Sequence, residues 1–109
     1  MSTHDILHRL SETLASRRNA DPETSYTAQL FASGPDSILK KIGEECAELI
    51  MAGKEGKRLK IVWESTDVIY HVLVLLAFYG LSVEDVLQEL RRREGISGID
   101  EKKSRKAAK

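Results

Sequence analysis

From Val68 to Tyr79 the chain is apolar or aromatic at every position except His71, and no proline or glycine interrupts it back to Leu59. A strongly apolar run of roughly 10–14 residues fits a buried helix better than a membrane span. From Val68 onward the helix is apolar almost all round, so it has to be central, with other elements covering it. Together with the helical segments around it, this points to an all-α fold.

The covering elements are legible from spacing. Ile6, Leu7, Leu10 and Leu14 recur at three and four residues, marking one apolar stripe on a helix from about residue 3 to residue 18. Asn19 to Glu23 breaks the pattern, with Pro22 inside it. Thr24 to Ser33 is polar and aromatic, and its pattern fits a loop as well as a short helix. After Gly34-Pro35-Asp36 a second helix runs to about Lys54, with Leu39, Ile42, Cys46, Leu49 and Ile50 as its expected core face. The central helix spans about Leu59 to Tyr79 and stops at Gly80. A fourth begins at Ser82, a good N-cap, with Glu84 and Asp85 complementing the dipole. Its buried face would be Val83, Val86, Leu87 and Leu90, and Gly95 closes it. Four helices with short links predict a four-helix bundle-like protomer. Residues 1–95 form one domain, and 96–109 a C-terminal extension whose basic end, from Lys102 onward, is expected to be frayed and solvated.

With 109 residues the core is modest, so a homodimer is expected. Basic and acidic side chains number 17 each, which gives no general attraction to nucleic acid or to anionic membrane. A lone cysteine, Cys46, and an N-terminus without an apolar signal core point to the cytoplasm.

The second helix carries Glu44-Glu45-x-x-Glu48, and the third carries Glu64-x-x-Asp67. Residues three or four apart share a helix face, so an antiparallel pairing lets the two clusters face each other. Converging carboxylates repel; a divalent cation reverses the sign of that interaction. Magnesium prefers oxygen ligands and can neutralise a polyphosphate and activate water. A salt-bridged surface fits the same spacing, because Lys40 and Glu44, Lys41 and Glu45, and Lys60 and Glu64 are each four apart. Glu64, Asp67 and His71 continue into Leu75 and Phe78 on one stripe, which favours a groove over an outer surface.

Glu-Glu-x-x-Glu, fifteen intervening residues, then Glu-x-x-Asp resembles the all-α (MazG-type) nucleoside triphosphate pyrophosphatases. With Ser25-Tyr26-Thr27, Gly34-Pro35-Asp36, Lys40 to Glu45, Tyr70-His71 and Leu90 to Gly95, the chain is similar to the phosphoribosyl-ATP pyrophosphatase family over roughly Asp5 to Arg105. The resemblance implies magnesium-dependent cleavage of the α–β anhydride of 1-(5-phosphoribosyl)-ATP, the second step of histidine biosynthesis, by a homodimer or larger assembly. It implies Glu45, Glu48, Glu64 and Asp67 as metal ligands. Glu44 would be an extra ligand or the general base, and Glu44 and Glu48 are the catalytic candidates.

Further substrate candidates are Ser25, Tyr26, Lys40, Lys41, His71 and Arg92. The lysines can bind phosphates or simply form salt bridges. Ser25 and Tyr26 can contact a nucleotide or pack a loop. His71 can orient the Asp67 carboxylate, contact substrate, or be a satisfied core histidine. Arg92 can bind a phosphate bidentately or complement a helix end. Two other functions fit the acidic pattern: a house-cleaning hydrolase of free nucleoside triphosphates and a non-catalytic helical dimerisation module.

Overall fold

The computed structural model describes residues 5–108, with the side chain of Ala108 not described. The described residues form six helices and no strand: α1 (Ile6–Ser16), α2 (Tyr26–Ser33), α3 (Pro35–Glu55), α4 (Arg58–Phe78), α5 (Val83–Arg93) and α6 (Gly98–Ala108). The all-α expectation holds, with two helices more than the four predicted. The predicted start of the first helix near residue 3 lies outside the described residues.

The α3–α4 hairpin is the frame. Each helix has 21 residues, and the turn between them passes through Gly56 in the left-handed region (φ 70°). α4 also packs on α1 and α2, which makes it the central helix. By length and hydropathy it could cross a membrane. It nevertheless carries Glu64, Asp67 and the buried His71.

The core collects at one end of the hairpin. Leu14, Leu30, Phe31, Ile38, Leu73, Val74, Ala77 and Val83 are buried together, and Ile42, Tyr70, Phe78 and Leu87 pack against them. Phe31 and Phe78 stack with centroids 6.5 Å apart.

α2 is a genuine helix. Ser25 caps it by accepting from the Ala28 N–H at 3.1 Å. Gly34 joins it to α3 alone, with φ 90° and ψ 178°, a backbone region that only glycine adopts readily.

The predicted core face of the second helix needs rotating. Leu39 and Ile50 are 49% and 67% exposed, whereas Ile38 and Ala52 are buried. The stripe facing α4 is Ile38, Ile42, Glu45, Leu49 and Ala52, at spacings of four, three, four and three. Glu45 therefore sits inside the core-facing row.

On α5, Val83 is buried, but Val86 and Leu90 are 37% and 55% exposed. They line an apolar groove of about 230 Å³ with Leu7, Ile69, Val72 and Leu76 among others. Asp85 accepts the Ser82 N–H at 2.9 Å, half of a capping box. From α1, the buried Ser11 Oγ accepts the first N–H of α5, that of Val83, at 3.1 Å.

The expected frayed tail is helical up to Ala108. Ser97 Oγ accepts from the Asp100 N–H at 3.1 Å, and Asp100 and Glu101 occupy the first turn. Glu101 is buried among Arg92 (2.5 Å), Arg105 (3.4 Å) and Arg93 (3.7 Å). Cap, dipole and ion cluster together give the basic segment helical order.

Candidate active site

α3 and α4 bring Glu45, Glu48 and Glu64 together. One carboxylate oxygen from each lies within 4.8 Å of the others. Glu45 is only 9% exposed because it belongs to the core-facing row. Glu48 is one turn on, towards solvent. Beside them is a cavity of about 240 Å³ lined by Glu48, Met51, Ala52, Glu55, Lys60 and Glu64.

The electrostatics are those of a site short of positive charge. Burial, then the charges of Glu48 and Asp67, push the Glu45 carboxyl above its usual range, and Lys41 offsets this only in part. Burial, a hydrogen bond with Glu48 and the charges of Glu48, Asp67 and Glu45 push Glu64 up as well. One oxygen of Glu45 and one of Glu64 are buried without any hydrogen-bond partner. A buried unsatisfied acceptor costs about 1–3 kcal/mol, more when charged.

A hard divalent cation would satisfy these demands. Magnesium binds oxygens at about 2.0–2.1 Å, which places neighbouring ligand atoms about 3–4 Å apart. With ligand atoms within 4.8 Å of one another, the three carboxylates would close by up to about 2 Å to meet that spacing.

The other predicted residues fall into three groups. Asp67 is exposed, one turn after Glu64 and outside the three-carboxylate cluster, though its charge acts on both Glu45 and Glu64. Glu44 also lies outside the cluster, exposed and 3.6 Å from Lys41. Lys41 reaches Glu45 as well, at 3.8 Å, so it bridges the free acid and the buried one. Lys40 is exposed, with no ion-pair partner among the described residues. The pairing of Lys60 with Glu64 does not form, since Lys60 turns to Glu55 at 3.6 Å.

Tyr26 and His71 meet beside the acids, the tyrosine hydroxyl 3.2 Å from His71 Nε2. His71 does not orient the Asp67 carboxylate. Its Nδ1 donates instead to the Asp67 backbone carbonyl at 2.7 Å, one helical turn back. Behind this pair, the Thr27 hydroxyl and the Tyr70 hydroxyl hydrogen-bond to each other.

Ser25 and Arg92 are engaged elsewhere. The Ser25 side chain caps α2. Arg92 makes a bidentate pair with Glu89 (2.8 and 3.0 Å) and contacts Glu101, and none of its partners is an acid of the groove.

Sequence reasoning missed Glu55. It lies seven residues after Glu48, two turns on along the same helix face, and that spacing was the available signal.

Comparison with known proteins gives the chain's family. The sequence profile of the phosphoribosyl-ATP pyrophosphohydrolase family matches residues 7–94. A protein of Dechloromonas aromatica (strain RCB) named phosphoribosyl-ATP pyrophosphatase is 89% identical over 105 residues, covering 96% of this chain and 97% of its own. Proteins of the same name from Azoarcus sp. (strain BH72) and Aromatoleum aromaticum are 60% and 59% identical. Those alignments cover 94% and 93% of this chain, and 95% and 94% of theirs. The chain belongs to the phosphoribosyl-ATP pyrophosphohydrolase family.

Proposed function

We propose that this protein is a magnesium-dependent phosphoribosyl-ATP pyrophosphohydrolase. It hydrolyses the α–β anhydride of 1-(5-phosphoribosyl)-ATP to 1-(5-phosphoribosyl)-AMP and pyrophosphate, the second step of histidine biosynthesis. The observation that carries this reading is the trio Glu45, Glu48 and Glu64, with two buried oxygens lacking partners, in a member of this family.

Glu45, Glu48 and Glu64 would hold the ion, with Asp67 at its edge. Magnesium bound there supplies charge neutralisation and Lewis acidity towards a polyphosphate. The chain's own residues do the rest. Lys41, between Glu44 and Glu45, offers a point charge to phosphate oxygens. Glu44 is exposed and outside the cluster, free to take the proton of the attacking water while pyrophosphate leaves.

The working form is a cytoplasmic homodimer, outside any membrane and without a nucleic-acid partner. Two observations support the assembly. The Cα radius of gyration is 16.0 Å, against about 13 Å for a compact chain of this length. Ile69 and Trp63 on α4 are 49% and 56% exposed, and among the described residues nothing covers the apolar groove between α4 and α5.

The test is pyrophosphate release from phosphoribosyl-ATP, with and without magnesium, by the wild type and by Glu48→Ala. Release that needs both magnesium and Glu48 is expected. Activity confined to free nucleoside triphosphates would transfer the chain to the house-cleaning class. Activity indifferent to Glu48→Ala would remove the acidic trio from the mechanism.

A further inference from the structure

Tyr26 opens α2 and is 48% exposed, yet its hydroxyl turns inward to His71. The far side of the imidazole settles which group donates. The Asp67 carbonyl can only accept, so Nδ1 of His71 carries the hydrogen. In the neutral ring Nε2 is then the acceptor, and the Tyr26 hydroxyl donates to it. His71 itself is 6% exposed and is gripped edge-on by two rings. Tyr26 lies at 6.2 Å between centroids and 83° between planes, and Tyr70 at 5.2 Å and 80°. The first residue of α2 is thereby tied to the middle of α4.

With the hydroxyl engaged by His71, Tyr26 still leaves about half of its surface to solvent. That surface stands beside the acidic groove, within reach of the charges of Lys41, Glu45 and Glu44. A fixed aromatic surface next to an ammonium group and a cation-hungry carboxylate trio matches a ligand that joins a flat heteroaromatic ring to a chain of phosphates.

We propose that Tyr26 is a specificity-determining residue that stacks on the nucleobase of the substrate, and that His71 is a positioning residue acting through it. The proposal rests on the nucleotide-hydrolase reading above and adds to it the element that recognises the base. Stacking of a base on an aromatic side chain changes affinity by about fivefold to more than a hundredfold.

The experiment compares Tyr26→Ala, Tyr26→Trp, Tyr26→Phe and His71→Leu, and the Phe/Leu double variant. KM and kcat are measured on whichever nucleotide the wild type hydrolyses. Magnesium affinity is read separately, from the magnesium-dependent rise in melting temperature. Tyr26→Ala should raise KM at least about tenfold while kcat and magnesium affinity stay within about twofold, and Tyr26→Trp should recover most of the loss. His71→Leu should raise KM several-fold in the wild type and less than about twofold in the Tyr26→Phe background, since the shared hydrogen bond is already gone there. Equal effects of His71→Leu in both backgrounds would remove it as a positioning residue. If His71→Leu does not fold, the Tyr26 series decides. A KM unchanged in Tyr26→Ala, or magnesium affinity falling with it, overturns the stacking role while wild-type turnover leaves the hydrolase reading standing. A wild type that hydrolyses no nucleotide overturns both.

Discussion

Replacing Glu45 by Gln should make the metal-free protein more stable and remove its response to magnesium. The oxygens of Glu45 and Glu48 lie within 4.8 Å. Two unit charges at that distance repel by about 0.9 kcal/mol in bulk water and about 3.5 kcal/mol at an effective dielectric constant of 20. Glu45 is 9% exposed, between those limits. Against this relief stands the lost contact with Lys41 at 3.8 Å, which Glu44 also shares. Such a partly exposed pair contributes about 0–1 kcal/mol. The amide can also donate to the Glu48 carboxylate. The net gain is about 1 kcal/mol or more, which raises the melting temperature by roughly 4–8 °C. Magnesium acts the other way on the wild type. At a hundred times its dissociation constant it stabilises by about 2.7 kcal/mol, roughly 10–20 °C. Melting followed by circular dichroism, at fixed protein concentration, in chelator and in graded magnesium, measures both effects. A Gln variant that melts lower than the wild type in chelator would show that Glu45 is already satisfied by its neighbours. A full magnesium response in that variant would remove Glu45 from the ligand set.

The metal-free protein should gain stability as pH falls from neutrality towards the ordinary carboxylate range. Glu45 and Glu64 bind protons more tightly folded than unfolded, so their destabilisation at higher pH is relieved, and saturating magnesium should flatten the trend. Glu89 has the opposite sign. Its hydrogen bonds to Arg92 and Arg93 hold it down at about 2, so its contribution is present above 4.5 and lost as pH falls towards 2; a pH titration of melting should show this loss absent in Glu89→Gln. Ser11→Ala removes the acceptor for the first N–H of α5 and should cost about 1 kcal/mol in urea unfolding, with kcat unchanged. Ile69→Glu places a charge on the exposed apolar face of α4 and should shift the mass measured by light scattering towards the monomer.

Much of the fold could be read from the chain because it is local. The apolar run at Val68 to Tyr79 announced the central helix, and Ser82 announced the start of α5. Helical spacing put five acids on facing sides of two helices but did not decide which of them meet: the structure gathers Glu45, Glu48 and Glu64 and leaves Glu44 and Asp67 outside. What failed depended on how side chains pack and pair in the folded chain, often with partners distant in sequence. Ile38 and Leu39 are equally apolar, and only the position of α4 decides that the first is buried and the second exposed. That choice also drew Glu45 into the core row. The eight residues of α2 are too few for periodicity to decide. The partners of His71 depend on a carbonyl four residues back and a hydroxyl on another helix. Arg92 spacing suits a phosphate, but Glu89 and Glu101 reach it in the folded chain.

Gly34 turns the Tyr26 end of α2 into the tip of a lever. The eight residues of this helix span about 12 Å, and one residue joins it to the helix that carries the acids. A swing of about 20° at that elbow displaces the far end by roughly 4 Å, more than the length of a hydrogen bond. An added Cβ at Gly34 would meet nothing within 4 Å, so crowding does not forbid a larger residue there. The torsion does. Any L-residue at this position re-aims the aromatic tip, and the reach from acids to base becomes a length written into one backbone angle.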